Sequence, residues 1–463
     1  MPMDNPLNLP SLPLHHHPRM ASPHRTSPVY LLGLLLVTVL MLVLPCIYAG
    51  ITALTTYGVY WFATHEFLAI WAWPIAMNRG VLVVKVLFSF TPLLVGGTVA
   101  FFMIKPFFAR QAKRMQPLAL DPAVEPQVYA LVRQVCEAVG APTPRRIELN
   151  CDVNASAKFD PGLGGFFGNR LILTLGMPLI AGLTQRELAG VIAHEFGHFR
   201  QGAGMRFSYL IRKVNFWFAR VVYGRDGWDE TLTISAGTDT WVAIMIGCAR
   251  LGVGISRMLL WLLMMIGHSV SALLMRQMEY DADRSEIRLA GSAAFESTMY
   301  KLARLGSVFQ EIQKDMARLW RRQLQLPDNL PVLLEYRVQR IPEQKRTKVD
   351  NELGLAKTKL LDTHPCPADR VRRARQMAEA GAELSDAPAR QLFENFDTLS
   401  RLVTLAHYED DLNVPITPDF LVPLEKVVKE MSNPTPPPPP TSAAAAPIPM
   451  LAYDPSAFKP KVE

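Results

Sequence analysis

Runs of apolar residues, more than any composition figure, divide this chain. Val29 to Ile47 reads VYLLGLLLVTVLMLVLPCI, 19 residues without a charge, about the length needed to cross a ~30 Å hydrocarbon layer. A second run, Val81 to Ile104, carries one charge, Lys85, near its start, where a long side chain can snorkel to the interface. Between them lie Tyr57, Tyr60, Trp61, Trp71 and Trp73, an aromatic-rich loop of the kind found at membrane boundaries. A third apolar stretch, Trp241 to Met275, is 35 residues long and is interrupted by Arg250 and Arg257.

Elsewhere the pattern is that of a folded domain. Val128, Leu131, Val132, Val135 and Val139 recur at helical spacing over Pro126 to Val139 and stop at Gly140, which predicts a helix. Arg146 to Leu149 and Leu171 to Leu175 predict short strands. A Gly-rich, turn-prone stretch separates them at Asp160 to Asn169. From 178 onward helical periodicity dominates, to a last helical region ending near 431. The sequence NPTPPPPPTSAAAAPIP that follows cannot build a core. It reads as a spacer, or as an arm that recruits a partner through its proline run. The 1–28 arm, with His15, His16 and His17, reads as a solvated leader or a metal-binding tract.

Composition narrows this picture. Of 463 residues 49% are hydrophobic and only 19% charged, and mean hydropathy is +0.13. Such a balance excludes a disordered or fibrous chain. The net charge of +7 suits a membrane surface. No basic stripe with interleaved stacking aromatics stands outside the apolar segments, so nucleic acid is not an expected partner. The five cysteines contain no CxxC pair, which argues against a disulfide framework or a Cys-rich zinc knuckle. A signal peptide fits the first run poorly, since 28 residues precede it and no small-residue cleavage site clearly follows. Lys105, Arg110, Lys113 and Arg114 follow the second run, and only Arg79 lies between the two. The positive-inside rule then puts the N-terminus and everything after 105 in the cytoplasm.

Residues 194 to 198 read HEFGH. Thr184 and Glu187 form a possible capping box at the start of the helix carrying them. Leu188, Val191 and Ile192 supply its buried face. Positions four apart lie ~6 Å apart in rise and about 40° apart in rotation. His194 and His198 can therefore present nitrogens to one metal ion, with Glu195 placed to reach a water on it. A catalytic zinc wants a third protein ligand. Glu279, in EYDAD at 279 to 283, is the candidate, with Asp283 one turn later able to accept a hydrogen bond from a ligand imidazole. Spacing alone leaves open a second reading, a solvated acidic first turn of a helix.

HEFGH, EYDAD about eighty residues on, His364-Pro365 followed by Arg370, and VNASA at 153 to 157 together resemble the HtpX-like membrane zinc metallopeptidases, relatives of the CAAX prenyl proteases. The resemblance covers roughly residues 120 to 375. It implies a mainly α fold with a small β-sheet, a zincin-type metalloprotease domain attached to transmembrane helices. It implies His194, His198 and Glu279 as ligands of one Zn²⁺ per chain, Glu195 as general base and Asp283 as the carboxylate behind the ligands. His364 and Arg370 would polarise the scissile carbonyl, and Asn154 and Ala155 would stand at the substrate-binding edge. Cys366 and Cys151, beside these motifs, depart from the family's pattern.

The expected organisation is an arm (1–28), two transmembrane helices with a connecting loop (29–114), a metallopeptidase domain (115–375), a C-terminal helical extension (376–431) and a Pro/Ala-rich tail (432–463). Ligands at 198 and 279 must meet, so the chain between them crosses the membrane an even number of times. A short helical hairpin over 241–275 is expected, with a buried soluble helix as the other reading. Met205 to Tyr223 reads as an interfacial or packed amphipathic helix. The expected activity is that of a zinc metalloendopeptidase (EC 3.4.24 type), a multi-pass bacterial inner-membrane protein with its catalytic domain in the cytoplasm. Its substrates would be unfolded or membrane polypeptides, in quality control. A processing protease for one prenylated or regulatory substrate, and a membrane scaffold with a structural zinc, are the rival readings. Nothing in the sequence points to an oligomeric state.

Overall fold

The computed structural model describes residues 28–74, 78–108, 117–160, 168, 170–201, 203–224, 240–412 and 416–427. The N-terminal arm, the Pro/Ala-rich tail, most of the Gly-rich stretch at 160–169 and the predicted end of the last helical region near 431 lie outside them. The fold is mostly helical with a small sheet, and among the described residues three helices are long and apolar enough to cross a membrane. It divides into two compact units, one gathering Lys113–Met205 and Met275–Tyr453, the other Ser27–Ala112 and Arg206–Leu274.

The second unit is built from apolar helices. Helix α1 (Pro28–Trp61) runs far past the predicted span, and a π-helical turn (Phe62–Glu66) and α2 (Phe67–Ala72) continue it. The expected aromatic loop is thus helical. Gly58 is the only glycine between Ile51 and Ala72, and no proline occurs there, so nothing breaks the helix. Helix α3 (Arg79–Ile104) starts at an Asn78 cap. Lys85 is buried, its Nζ donating to the Trp73 carbonyl at 2.9 Å. Helices α7 (Ala203–Tyr223) and α8 (Thr240–Ala290) complete the unit with their segments inside it. They run antiparallel there: Asn215 Nδ2 donates to Ser271 Oγ at 3.3 Å, and Arg257 Nη2 to the Gly224 carbonyl at 3.0 Å. Tyr48 Oη donates to the Met103 carbonyl at 2.9 Å and meets Ser256 Oγ at the same distance. Outward faces stay apolar, with Leu36 and Phe88 more than half exposed.

The expected hairpin within 241–275 is not found. That stretch is the uninterrupted first part of α8. It contains no proline, and Gly252 and Gly254 each cost a helix only about 1 kcal/mol. Gly252 also has a packing reason, because a Cβ there would come within 3.2 Å of the Thr98 carbonyl oxygen. Instead, α7 and α8 are the two helices that run antiparallel. The apolar stretch of α8 ends at Met275. From Arg276 the helix is charged and belongs to the first unit.

In the first unit, β1 (Leu118–Ala119), β2 (Arg146–Asn150), β3 (Ala155–Phe159) and β4 (Leu171–Gly176) form a sheet in the order β1-β2-β4-β3. All six residues of β4 are buried. It pairs parallel with β2 and antiparallel with β3, so β3 is an edge. Helix α4 (Pro126–Val139) ends on Gly140 in the left-handed region (φ 77°) and packs on α6 (Gln185–Gly197), which follows α5 (Met177–Gly182). Then come α9 (Ser292–Gln323), α10 (Leu330–Gln339), α11 (Glu343–Leu355), α12 (Pro367–Met377) and α13 (Phe396–Leu412). Two-residue strands β5 (Leu326–Pro327) and β6 (Leu421–Val422) pair in parallel.

The predicted boundary at 375/376 falls inside α12, and the C-terminal extension is part of the same compact unit. Leu384, Ala389, Phe393, Phe396 and Val403 are buried, and separating them from the core would expose that surface. Its first stretch binds the start of α6. Gln185 and Arg186 N–H groups donate to the Ala387 and Ser385 carbonyls, each at 2.9 Å. The Arg186 guanidinium reaches the carbonyls of Ala382 and Leu384 and the Asp386 carboxylate.

Candidate metal centre

The centre forms where α6 crosses the charged end of α8. Thr184 caps α6, its Oγ1 accepting the Glu187 N–H at 3.3 Å while Glu187 accepts the Thr184 N–H at 2.9 Å. The crossing is close because α6 presents glycine. A Cβ at Gly197 would stand 2.9 Å from Ser285 Oγ and 3.1 Å from Ala282 Cα, and one at Gly190 would stand 3.0 Å from the Ala290 Cβ. On α8, Glu279, Asp283 and Glu286 occupy one face over two turns, each at most 3% exposed.

His194 on the facing side of α6 and His198, which opens the 3-10 turn (His198–Gln201) after it, have ring centroids 5.0 Å apart. His194 Nε2 is 3.5 Å from Glu279 Oε2, and His198 Nε2 is 3.7 Å from Glu279 Oε1. One atom from each of the three residues lies within 4.8 Å of the others. Four tetrahedral ligands at ordinary Zn–N and Zn–O bond lengths stand about 3.4 Å apart. These separations are too long for good hydrogen bonds and close to that spacing. The donor set therefore fits a divalent metal of the zinc type. His194, Asp283 and Glu286 also come within the same distance. There, however, the Arg370 guanidinium already holds Asp283, donating from Nε to Oδ2 at 2.9 Å and from Nη2 to Oδ1, and it lies 3.5 Å from His194 Nδ1. A fixed cation disfavours a second one, so the first set is the metal candidate.

Behind the candidate ligands, Asp283 Oδ1 lies 3.1 Å from His194 Nδ1, which orients the ring to present Nε2. Burial disfavours a charged imidazole at His194, but the hydrogen bond with Asp283 and the nearby Glu279 carboxylate outweigh it and raise its pKa to about 10 in the metal-free protein. Burial likewise opposes ionised carboxylates. At Glu279 the His194 and His364 contacts outweigh it, and at Asp283 the Arg370 charge does, so both are held below the usual range. At Glu286 the charges of His194 and Arg370 do not offset burial and the neighbouring Asp283 carboxylate, and its pKa is pushed up to about 7. Its Oε1 has no hydrogen-bond partner among the described residues.

His364 brings Nδ1 to 3.2 Å from Glu279 Oε1, with 41% of its side chain exposed. Arg370, 17% exposed, faces Asp283. The two therefore stand on different sides of the centre, His364 toward solvent and Arg370 behind the ligands. Glu195, half-buried, accepts the Ala157 N–H at 3.3 Å. Ala157 lies on β3. The Gly176 N–H donates to the Asn154 carbonyl, and the Asp160 N–H to the Arg170 carbonyl, so even-numbered residues bond to β4. By alternation the backbone groups of Ala155 and Ala157 point to the open edge. Asn154 is exposed just ahead of the strand.

Glu286, Ala157 and the glycine contacts were not singled out in the sequence. Glu286, seven residues after Glu279 and three after Asp283, continues the same helix face and could have been found on that signal. Ala157 depends on strand pairing and carries no signal of its own.

Residues 122–378 match the sequence profile of Peptidase family M48. A Protease HtpX homolog of Bordetella petrii is 23% identical over 243 residues, covering 50% of this chain and 72% of that protein. A Protease HtpX homolog of Bacteroides fragilis is 26% identical over 167 residues, covering 35% of this chain and 48% of that protein. No solved structure matches.

Proposed function

The chain belongs to peptidase family M48, and from that premise we propose that it is a membrane-embedded zinc endopeptidase acting on unfolded or membrane polypeptides. The observation that carries this reading is the cluster of His194, His198 and Glu279 donor atoms within 4.8 Å, buried, beside Glu195 and the open edge of β3. Those three side chains would hold the ion. When bound, zinc supplies a Lewis acid that polarises a peptide carbonyl and makes water acidic enough to lose a proton near neutrality.

The remaining steps belong to the chain. The backbone groups of Ala155 and the carbonyl of Ala157 would pair with an extended substrate, giving affinity with little sequence demand, while the Ala157 N–H holds Glu195. Asn154 would flank that strand. Glu195 would take the proton of the attacking water and hand it to the leaving amine. His364, the more exposed of the pair, would face the developing charge on the carbonyl oxygen. Arg370 is committed to Asp283, so it is a positioning residue that acts through Asp283 and His194.

Only 28%, 28% and 39% of the most apolar windows of the three apolar helices is buried, as suits lipid-facing spans. His198 and Glu279 would share a centre, so a crossing by α8 calls for a second one between them, and α7, which runs antiparallel beside α8 but is more charged than the three apolar helices, is the described segment that would supply it. Four crossings would result, with the catalytic unit on the cytoplasmic side of a bacterial inner membrane by the charge rule. Membrane-protein quality control fits a site with a backbone-reading edge better than selection of a single substrate does.

The test is Glu195→Gln in the full chain, purified in detergent, with casein cleavage and bound zinc measured together. Cleavage is expected to fall about 10²–10⁴-fold with zinc retained. Equal cleavage by both proteins, or none by either, would overturn the peptidase reading in favour of a structural zinc.

A further inference from the structure

Away from the metal centre, the segment Leu355 to Asp362 departs from ordinary turn composition. The Asp362 N–H donates to the Lys359 carbonyl at 3.2 Å, and the Lys359 N–H to Asp362 Oδ2 at 2.7 Å. This closes a reverse turn whose central residues are Leu360 and Leu361. Gly, Pro, Asn, Asp and Ser usually fill such turns. Here Leu360 is 80% exposed and Leu361 39%, while Leu355, at the end of α11, is 79% exposed. Lys357 and Lys359 stand exposed between them.

The turn is firmly held. Arg276 Nη1 donates to the carbonyls of Lys359 at 2.9 Å and of Leu360 and Asp362 at 3.2 Å. Thr358 Oγ1 donates to Asp369 Oδ2 at 2.6 Å and accepts the Cys366 N–H at 2.9 Å. Arg276 also fixes where the turn sits. It is the first charged residue after the apolar stretch of α8. Three residues earlier, on nearly the same side of that helix, Leu273 is 69% exposed. The leucine turn is therefore fastened to the first charged residue of α8, where the apolar stretch of that helix has ended.

We propose that this turn is a membrane-interface anchor. Leu355, Leu360 and Leu361 enter the headgroup–acyl boundary, and Lys357 and Lys359 meet the phosphates of anionic lipids. The inference rests on α8 spanning the bilayer, and not on the peptidase chemistry. Its consequence for substrate class follows from chain length. Leu360 is four residues from His364, at most about 14 Å of chain. The site then opens beside the bilayer surface and meets polypeptide segments as they leave it.

The experiment uses the full chain in vesicles of phosphatidylethanolamine and phosphatidylglycerol, with the native cysteines replaced (Cys366→Ser, the others →Ala). An environment-sensitive fluorophore is placed at Leu360→Cys, at Leu262→Cys within the apolar stretch, or at Lys348→Cys on α11. All three positions are exposed, so the label disturbs little packing. Brominated acyl chains are expected to quench positions 360 and 262, and aqueous iodide to quench 348. If 360 behaves like 348 while 262 stays lipid-quenched, the anchor is wrong and the span stands. If 262 is quenched by iodide, the span fails and takes the anchor with it. Replacing phosphatidylglycerol with phosphatidylcholine is expected to lower lipid quenching at 360 about twofold. Equal quenching in both vesicle types would overturn the role given to the lysines.

Discussion

Asp283 serves two neighbours at once, and a double-variant cycle separates its two duties. It is 3% exposed, with Arg370 Nε at 2.9 Å from Oδ2 and His194 Nδ1 at 3.1 Å from Oδ1. Asp283→Ala strands a buried guanidinium, which costs about 3–5 kcal/mol of stability. It also removes the acceptor that orients His194, and losing such a partner lowers metal affinity about 10–100-fold. Arg370→Leu strands the carboxylate, at a stability cost of the same order. The double variant leaves neither charge behind. Its stability loss should fall at least about 2 kcal/mol short of the sum of the single losses, while zinc affinity stays low because the acceptor for His194 is still missing. Unfolding of the zinc-free chain in detergent gives the first quantity, and competitive zinc titration the second. Losses that add within about 0.5 kcal/mol, or zinc affinity that recovers along with stability, would refute this division of roles.

Two further outcomes follow from the same crossing of helices. Gly→Ala in a helix interior normally stabilises by up to about 1 kcal/mol. Gly197→Ala should instead cost about 1–3 kcal/mol and weaken zinc binding, because the new Cβ meets the Ala282 backbone at 3.1 Å. A stabilised variant in thermal unfolding would show that the helices are not in contact there. The pH dependence concerns His194, whose pKa in the zinc-free fold is raised to about 10 from about 6.5 in the unfolded chain. A group raised on folding contributes its full stability below the unfolded value and loses it as pH climbs through the folded value. Zinc-free stability should therefore decline from about pH 6.5 to about pH 10, and Asp283→Ala should flatten the decline. A wild-type profile already flat across that window would refute the coupling.

Local and periodic features were legible before the structure. Helix α4 has the predicted bounds, with Gly140 at its end, because five valines and leucines at helical spacing and a left-handed cap are local information. The Thr184–Glu187 box is also local, and both of its bonds form. The first two apolar runs announced themselves by length. Where a helix would turn back did not. Gly252 and Gly254 would each permit a bend, yet Gly252 stands where α8 passes the Thr98 carbonyl closely, and a glycine that permits contact looks the same in sequence as one that permits a turn.

The same ambiguity explains why the candidate site could be only half read. HEFGH and EYDAD name the donors, but how they approach depends on Gly190 and Gly197 in one helix and Ala282 and Ala290 in the other, residues that carry no chemistry. The start of α6 is satisfied by the carbonyls of Ser385 and Ala387, roughly two hundred positions downstream in a stretch with no periodic pattern. A helix that offers unpaired N–H groups at its start needs acceptors from somewhere. Here one comes from its own Thr184 cap and others from a distant segment whose buried Leu384 and Ala389 fasten it to the core. This is why a boundary drawn after the last recognisable motif cut through a single folded unit. A motif shows where the chemistry is placed, and the contacts that hold it in register are spread through residues whose only sequence property is being small, apolar or able to offer a carbonyl.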